Sequence, residues 1–165
     1  MLSAMQIRDA EPAHWPRIWP FLRAIVAAGD TYTWDPDTPE ERARELWMPG
    51  PPVRTVVALD GDEVVGTAKF QPNQAGPGSH VANASFMVDP RHAGRGIGRR
   101  LAEHVLELAR AEGYRAMQFN AVVETNTRAV ALWRSLGFEI IGTVPEAFHH
   151  PEKGYVGLHI MYRRL

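Results

Sequence analysis

The chain has 165 residues, with 18 Lys and Arg against 19 Asp and Glu, 7 His and no Cys, which gives a formal net charge of −1. This balance argues against a general nucleic-acid or anionic-membrane binder, because such proteins need a concentrated basic field. The lack of cysteine excludes thiol nucleophiles, thiolate metal ligands and disulfides. We expect one soluble, cytoplasmic domain over residues 1–165, since neither a leader pattern nor a membrane-spanning apolar run occurs.

Apolar periodicity and turn residues predict seven strands and four helices in the order β-α-α-β-β-β-α-β-α-β-β. Asp60-Gly61-Asp62 lies between two β-like runs and is typical of a tight hairpin. Leu101, Val105 and Leu108 share one face of an amphipathic helix that Gly113 ends. The predicted strands are residues 5–8, 53–59, 63–70, 80–88, 116–123, 138–144 and 155–163. The predicted helices are residues 15–26 with a stop near residue 29, then 39–47, 98–112 and 126–136.

A glycine-rich turn follows the fourth predicted strand and opens the longest helix. Within residues 88–99, the glycines at 94, 96 and 98 allow the backbone to approach an oxyanion closely. Unpaired amides and the positive end of the helix dipole would point at that anion, although an ordinary tight turn explains the same glycines. P-loop and Rossmann sites fit poorly, because no Gly-Lys-Ser/Thr follows and no acidic residue ends the next strand.

A second element begins at Asn126 and ends at Gly137-Phe138. By itself Asn126 is explained as a helix N-cap. Together with the glycine-rich turn, however, this helix resembles motifs A and B of the GCN5-related N-acetyltransferase (GNAT) superfamily, and the predicted element order matches that fold over almost the whole chain. The resemblance implies an α+β GNAT fold with a mixed, V-split sheet of about seven strands flanked by helices, and one N-acetyltransferase domain over residues 1–165.

The resemblance also implies acetyl-CoA as co-substrate and no metal. In that family the glycine-rich element grips the pyrophosphate, mainly with its backbone. The fourth strand bulges away from the fifth, and the thioester and pantetheine arm pair with main-chain groups there, while a family Asn on the next helix contacts the arm. By residue match, the implied cofactor-binding residues are Phe86, Met87, Val88, Gly94, Arg95, Gly96, Ile97, Gly98, Arg99 and Asn126.

Three departures from the family pattern affect the expected chemistry. Ala93 stands where the glycine-rich motif usually has Gln or Arg. Trp133 aligns with the Tyr commonly proposed as general acid, and an indole N–H cannot protonate sulfur as a phenol does. The polar residues that the fourth and fifth strands offer in place of a Glu base are Asn83, Ser85, Gln118 and Asn120. We therefore expect direct attack by an amine that arrives neutral or loses its proton through ordered water, without an acyl-enzyme.

Residues 116–126 are similar to the corresponding stretch of the fungal azetidine-2-carboxylate N-acetyltransferases, which act on proline-like amino acids. That resemblance implies that the side chains of Asn83 and Asn120 hold the acceptor carboxylate in the catalytic site. Neutral amides can do this without the desolvation cost of a buried cation. The alternative is that both amides only satisfy backbone groups where the sheet splits.

Two further segments are candidates for the acceptor pocket. Tyr32 and Trp34, between the first two helices, either line the pocket or anchor their own loop. His149 and His150, placed in a loop before the last strand, either exchange protons near neutral pH or lie in solvent.

The sequence thus predicts an enzyme that moves an acetyl group from acetyl-CoA to the amine of a small amino acid or proline-like molecule. A protein N-terminal or lysine acetyltransferase is one alternative, and it would need an open groove. A coenzyme-A-binding regulatory module without turnover is the other. We expect no nucleic-acid or membrane partner, and a homodimer is an open option because exposed terminal strands often pair in this superfamily.

Overall fold

In the described part of the chain, seven strands form one sheet in the order β1-β2-β3-β4-β5-β7-β6. The computed structural model describes residues 5–165, so residues 1–4, on which the expectation of no leader partly rests, lie outside the described part. All strand pairs are antiparallel except β4 with β5. The strands are β1 (Met5–Asp9), β2 (Arg54–Asp60), β3 (Glu63–Pro72), β4 (Val81–Val88), β5 (Ala116–Val123), β6 (Glu139–His150) and β7 (Gly154–Arg164).

Helices cover both faces of this sheet. Val56 and Val57 follow each other along β2 and belong to two different apolar cores, because successive strand residues point to opposite faces. The Val56 core includes apolar residues of the third and fourth helices, and the Val57 core includes those of the first and second. Within residues 5–165, no helix is both long and apolar enough to span a bilayer. The helices are α1 (Trp15–Ala28), α2 (Glu40–Trp47), α3 (Ile97–Ala111) and α4 (Thr127–Ser135).

The parallel pair β4 and β5 is joined only at its start. Val81 pairs with Ala116 and Ala82 with Met117, and no register partner follows beyond them. From there the two strands separate, while β4 stays paired with β3 and β5 with β7. The V-split mixed sheet and the α+β class expected from the resemblance are confirmed.

The predicted element order is confirmed, but β6 is longer than predicted. It runs to His150 instead of ending at residue 144, although Pro145 lies within it. Glu146 has φ of 52° and the register with β7 shifts between Val144 and Phe148, so a bulge absorbs the proline. β6 is an edge strand, where a missing N–H and a bulge are tolerated.

This longer strand corrects the placement of two histidines. His149 and His150 end β6 instead of lying in a loop, and only residues 151–153 connect β6 to β7. The Nδ1 atom of His150 accepts hydrogen bonds from the backbone amides of Glu152 and Lys153, both at 3.1 Å. His149 stacks on Tyr155 with ring centroids 4.4 Å apart. Both rings therefore organise the β6–β7 turn.

Candidate active site

A cleft of about 450 Å³ opens where β4 and β5 separate. The segment between α1 and α2 covers one side, the two strands form the walls, and α4 closes the other side. No Asp, Glu, Lys, Arg or His is among the described residues that line it. The predicted site residues that the cleft brings together are Tyr32, Trp34, Asn83, Phe86, Met87, Val88, Asn120 and Asn126.

An aromatic cluster forms the apolar wall of the cleft. Trp133 of α4 packs against Phe86 and Phe119, with ring centroids 5.0 and 4.7 Å apart. Only 8% of Trp133 is exposed, and its indole N–H has no hydrogen-bond partner within residues 5–165. The ring therefore forms part of this wall and excludes water from it, and it offers no group that can protonate a thiolate.

The α1–α2 segment is tied to β4 by a tyrosine. The hydroxyl of Tyr32 donates to the carbonyl oxygen of Phe86 at 2.5 Å. Tyr32 packs edge-on against Trp34, which in turn packs edge-on against Trp47 of α2, each pair with centroids 6.1 Å apart. Burial raises the pKa of the Tyr32 phenol, so it remains protonated. These aromatics both anchor the loop and line the cleft.

A chain of side-chain amides spans the split. Asn83 Nδ2 donates to the backbone carbonyl of Gln118 at 2.9 Å, and Asn83 Oδ1 accepts from Gln71 Nε2 at 3.3 Å. Asn120 Nδ2 donates to Asn73 Oδ1 at 2.7 Å, and Asn120 Oδ1 accepts from Gln118 Nε2 at 3.0 Å. Each amide nitrogen carries two hydrogens, so Asn83 and Asn120 keep one each for another acceptor. Part of their hydrogen-bonding capacity therefore holds the split together.

Bare backbone amides lie at the start of α3. Its N-cap is Gly96, and the first helical hydrogen bond runs from the amide of Arg100 to Gly96 O at 3.1 Å. The amides of Ile97, Gly98 and Arg99 therefore have no intrahelical acceptor. The φ angles of Gly94 and Gly96 are 78° and 77°, and a Cβ atom at either position would meet nothing within 4 Å. This open, amide-lined turn fits the pyrophosphate of a coenzyme A.

The side chains of this turn contribute less than its backbone. Arg95 contacts His92 and, at 3.4 Å, the carboxylate of Asp60 on the β2–β3 hairpin. Arg99 donates to Ser135 Oγ at the end of α4. Ile97 is 1% exposed and packs into the core under β3. The two guanidinium groups are held by neighbours and Ile97 faces inward, so the groups left available to an anion at this turn are mainly main-chain amides.

Asn126 caps α4 and also faces the cleft. Its Oδ1 accepts from the backbone amide of Ala129 at 3.4 Å, which is the N-cap bond expected from the sequence. Its Nδ2 donates to none of residues 5–165, and the residue lines the cleft wall. One side chain thus starts the helix and presents a donor to the cleft.

Sequence reasoning missed the residues that support this site from a distance. Gln71 and Asn73 partner the two predicted asparagines from β3 and its exit, and Glu124 holds the backbone amide of Gly157 at 2.8 Å. The one available signal was the polar run at residues 71–74, directly after an apolar strand. Within residues 5–165, no group of three or more His, Asp or Glu side chains is placed to hold a metal ion.

A split sheet with an amide-lined helix start beside it defines a coenzyme-A-dependent acyltransferase. The profile of the acetyltransferase (GNAT) family matches residues 19–138. N-acetyltransferase aca1 of Schizosaccharomyces pombe is 34% identical over 156 residues, covering 85% of this chain and 75% of the relative. The chain belongs to the GNAT family and is an acetyl-CoA-dependent N-acyltransferase.

Two further comparisons agree with this assignment. An L-methionine sulfoximine/L-methionine sulfone acetyltransferase of Pseudomonas aeruginosa is 33% identical over 150 residues, covering 85% of this chain and 83% of the relative. A solved GCN5-related N-acetyltransferase from Kribbella flavida superposes with a TM-score of 0.94 at 61% identity, covering 98% of each chain. The fold predicted from the two motifs is therefore confirmed over nearly the full length.

Proposed function

We propose that this enzyme acetylates the amine of a small amino acid, with proline-like acceptors included. The observation that carries the proposal is that the α1–α2 segment covers one side of the cleft, where Tyr32 is hydrogen-bonded to Phe86. A cleft covered in this way suits a small molecule. The similarity to an acetyltransferase named for methionine sulfoximine and methionine sulfone, which are amino-acid derivatives, supports the same substrate class.

We assign the coenzyme to the start of α3 and to the split between β4 and β5. Bare amides of Ile97, Gly98 and Arg99, approached over glycines 94 and 96, would hold the pyrophosphate. The other proposed contacts, with the pantetheine arm and thioester, come from the strand end and the α4 cap at Phe86, Met87, Val88 and Asn126.

The residues of the cleft support direct transfer by positioning. Within residues 5–165 no lining residue is a carboxylate or a histidine, and the chain has no cysteine. Alignment of two reactants lowers a barrier by about 7–11 kcal/mol, whereas a positioned base adds about 10²–10⁴-fold. The acceptor amine therefore reaches the site neutral or loses its proton to ordered water, and backbone amides of β4 stabilise the developing oxyanion.

Tyr32 acts in this scheme as a hydrogen-bond donor and not as an acid. A model thiol has a pKa of about 8.5 and a model phenol about 10. Burial raises the pKa of Tyr32 further, so protonation of a departing thiolate by this phenol is uphill. The proton given up by the amine, relayed by water, is the better source.

Release of free thiol from acetyl-CoA is the direct test of this proposal. The purified chain is given a panel of free amino acids, their amides, simple amines and short peptides with free N-termini or lysines. Saturable turnover with free amino acids and little with peptides is expected. Preference for peptides would favour the protein acetyltransferase alternative, and coenzyme binding without turnover on any amine would favour the regulatory module.

A further inference from the structure

Lys69 lies on β3 directly opposite Ser85 of β4. Its chain neighbours Ala68 and Phe70 belong to the core under α3, so Lys69 points to the other face, which α1 and α2 cover. Two residues earlier on that face, Thr67 Oγ1 accepts from the indole of Trp47 at 3.0 Å. Lys69 therefore stands beside the acceptor side of the cleft, behind Ser85, which lines it.

The ammonium of Lys69 has no counter-charge among residues 5–165. It is half-buried, and no carboxylate oxygen within residues 5–165 lies within 4 Å of it. Its contact is the ring of Trp47, whose centroid is 5.7 Å from Nζ. Burial alone lowers the pKa of Lys69, and no neighbouring charge raises it. A half-buried cation without an anion is costly, so an anion from outside would relieve it.

Hydrogen-bond donors surround the path from Lys69 to the cleft. The Ser85 hydroxyl has no partner within residues 5–165, and Asn83, two residues earlier on the same face of β4, keeps one amide hydrogen. Trp47, under Lys69, packs against Trp34, which lines the cleft. An ammonium, a hydroxyl and an amide N–H beside an aromatic wall form a set of donors that suits a carboxylate.

We propose that Lys69 is the cationic anchor for the carboxylate of the acceptor, reaching it past Ser85 with help from Asn83. The lining residues themselves carry no positive charge, and Asn83 and Asn120 have already committed one amide hydrogen each inside the protein. The flexible four-carbon stem of a lysine lets the ammonium move from the Trp47 ring toward the cleft. This inference rests on the proposed function and narrows its substrates to amines that carry an anionic group.

The test compares acceptors with and without a carboxylate. Each free amino acid that the wild type acetylates, L-proline first, is paired with its carboxamide, and kcat and KM are measured for both. In Lys69→Met the KM of the free acid should rise about ten- to hundredfold, the range of a hydrogen bond to a charged group. The constants for the amide and the affinity for acetyl-CoA should change less than about twofold, and Lys69→Arg should restore much of the preference.

The chain offers a matched control, because it has two lysines and the other, Lys153, is exposed in the β6–β7 turn. Lys153→Met should leave the acid-to-amide ratio unchanged. A second test uses the wild-type enzyme alone and so does not depend on the folding of any variant. The KM of the wild type for the free acid should rise with ionic strength, while its KM for the amide should not.

The possible outcomes distinguish a failure of the Lys69 proposal from a failure of the proposed function on which it rests. If the wild type turns over no amine at all, the proposed function fails and the anchor with it. If the wild type acetylates amino acids and their amides equally well, or if Lys69→Met keeps the wild-type ratio, the anchor alone is wrong.

Discussion

The start of α3 and the cleft that it adjoins at Val88 are built by different means. The proposed coenzyme end consists of backbone amides at the start of α3, where the side chain of Ile97 points inward and those of Arg95 and Arg99 are held by neighbours. The proposed acceptor end consists of side chains from β4, β5 and the α1–α2 segment, with support from Gln71 of β3. A backbone site needs only the right local conformation, whereas a side-chain site depends on strand register and helix packing.

This contrast predicts that the largest loss of acetyl-CoA affinity follows a substitution at Gly96. A β-branched side chain at φ of 77° introduces strain of about 1–3 kcal/mol and stands over the bare amides. The free protein would relax away from this conformation and would have to regain it on binding. Gly96→Val should therefore weaken acetyl-CoA binding about ten- to hundredfold by titration calorimetry, since 1.4 kcal/mol is tenfold. Gly98→Ala is the matched control, because its Cβ would meet Leu132 and Val88 at an ordinary 3.7 Å. Wild-type affinity in Gly96→Val would contradict the backbone site.

At the acceptor end, alanine substitutions of the two asparagines should differ in their effect on the free energy of unfolding. Asn83→Ala removes the partner of the Gln118 carbonyl and of the Gln71 amide, so we expect a loss of about 1–3 kcal/mol in the free energy of unfolding. Asn120 is exposed, and Asn120→Ala should stay within about 0.5 kcal/mol.

Urea denaturation and acceptor kinetics measure the two halves of this prediction. Asn120→Ala should raise the acceptor KM with unaltered coenzyme affinity. Unchanged kinetics in Asn120→Ala would remove that residue from the acceptor site and leave it only its contacts with Asn73 and Gln118.

A smaller effect on the acceptor KM is expected at the α1–α2 segment, which covers the proposed acceptor end. Tyr32→Phe keeps the ring but loses the hydrogen bond to Phe86, which contributes about 0.5–1.5 kcal/mol. The acceptor KM should rise about two- to tenfold. Because burial raises the pKa of Tyr32, the phenol stays protonated at and beyond pH 10, so the wild-type pH–rate profile should show no break from a tyrosine near pH 10. A break near pH 10 that Tyr32→Phe abolishes would make this phenol an acid after all.

The smallest effects should come from the two arginines of the glycine-rich turn. Arg95→Gln and Arg99→Gln each remove an exposed cation that is already held within the protein, and such pairs contribute about 0–1 kcal/mol. Acetyl-CoA affinity, measured by calorimetry at two salt concentrations, should fall less than about fivefold in either variant. A larger loss would mean that side chains, and not amides, hold the pyrophosphate.

The same contrast explains what could be predicted from the sequence. The glycines at 94 and 96 were informative because their role is local: a positive φ and an open helix start are encoded within six residues. Asn126 was predicted as a cap for the same reason, and its bond to Ala129 spans three residues. Apolar periodicity also predicted the order of the helices and strands, since the amphipathic pattern of each segment is local too.

Side chains joined by tertiary contacts could not be found in this way. Asn73 meets Asn120 across 47 positions of sequence. Lys69 contacts Trp47 only through the packing of α2, and it lies opposite Ser85 only through the β3–β4 register. The end of β6 was missed because Pro145 is typical of a turn, and only the edge position of the strand makes a bulge there acceptable.

The structure of the enzyme with coenzyme A bound tests the central claim most directly. The account predicts pyrophosphate oxygens within hydrogen-bond distance of the amides of Ile97, Gly98 and Arg99, and the thiol end between Phe86 and Phe119. Density for the nucleotide in the separate groove lined by Arg17, Phe21 and Arg91, with the start of α3 left bare, would contradict it.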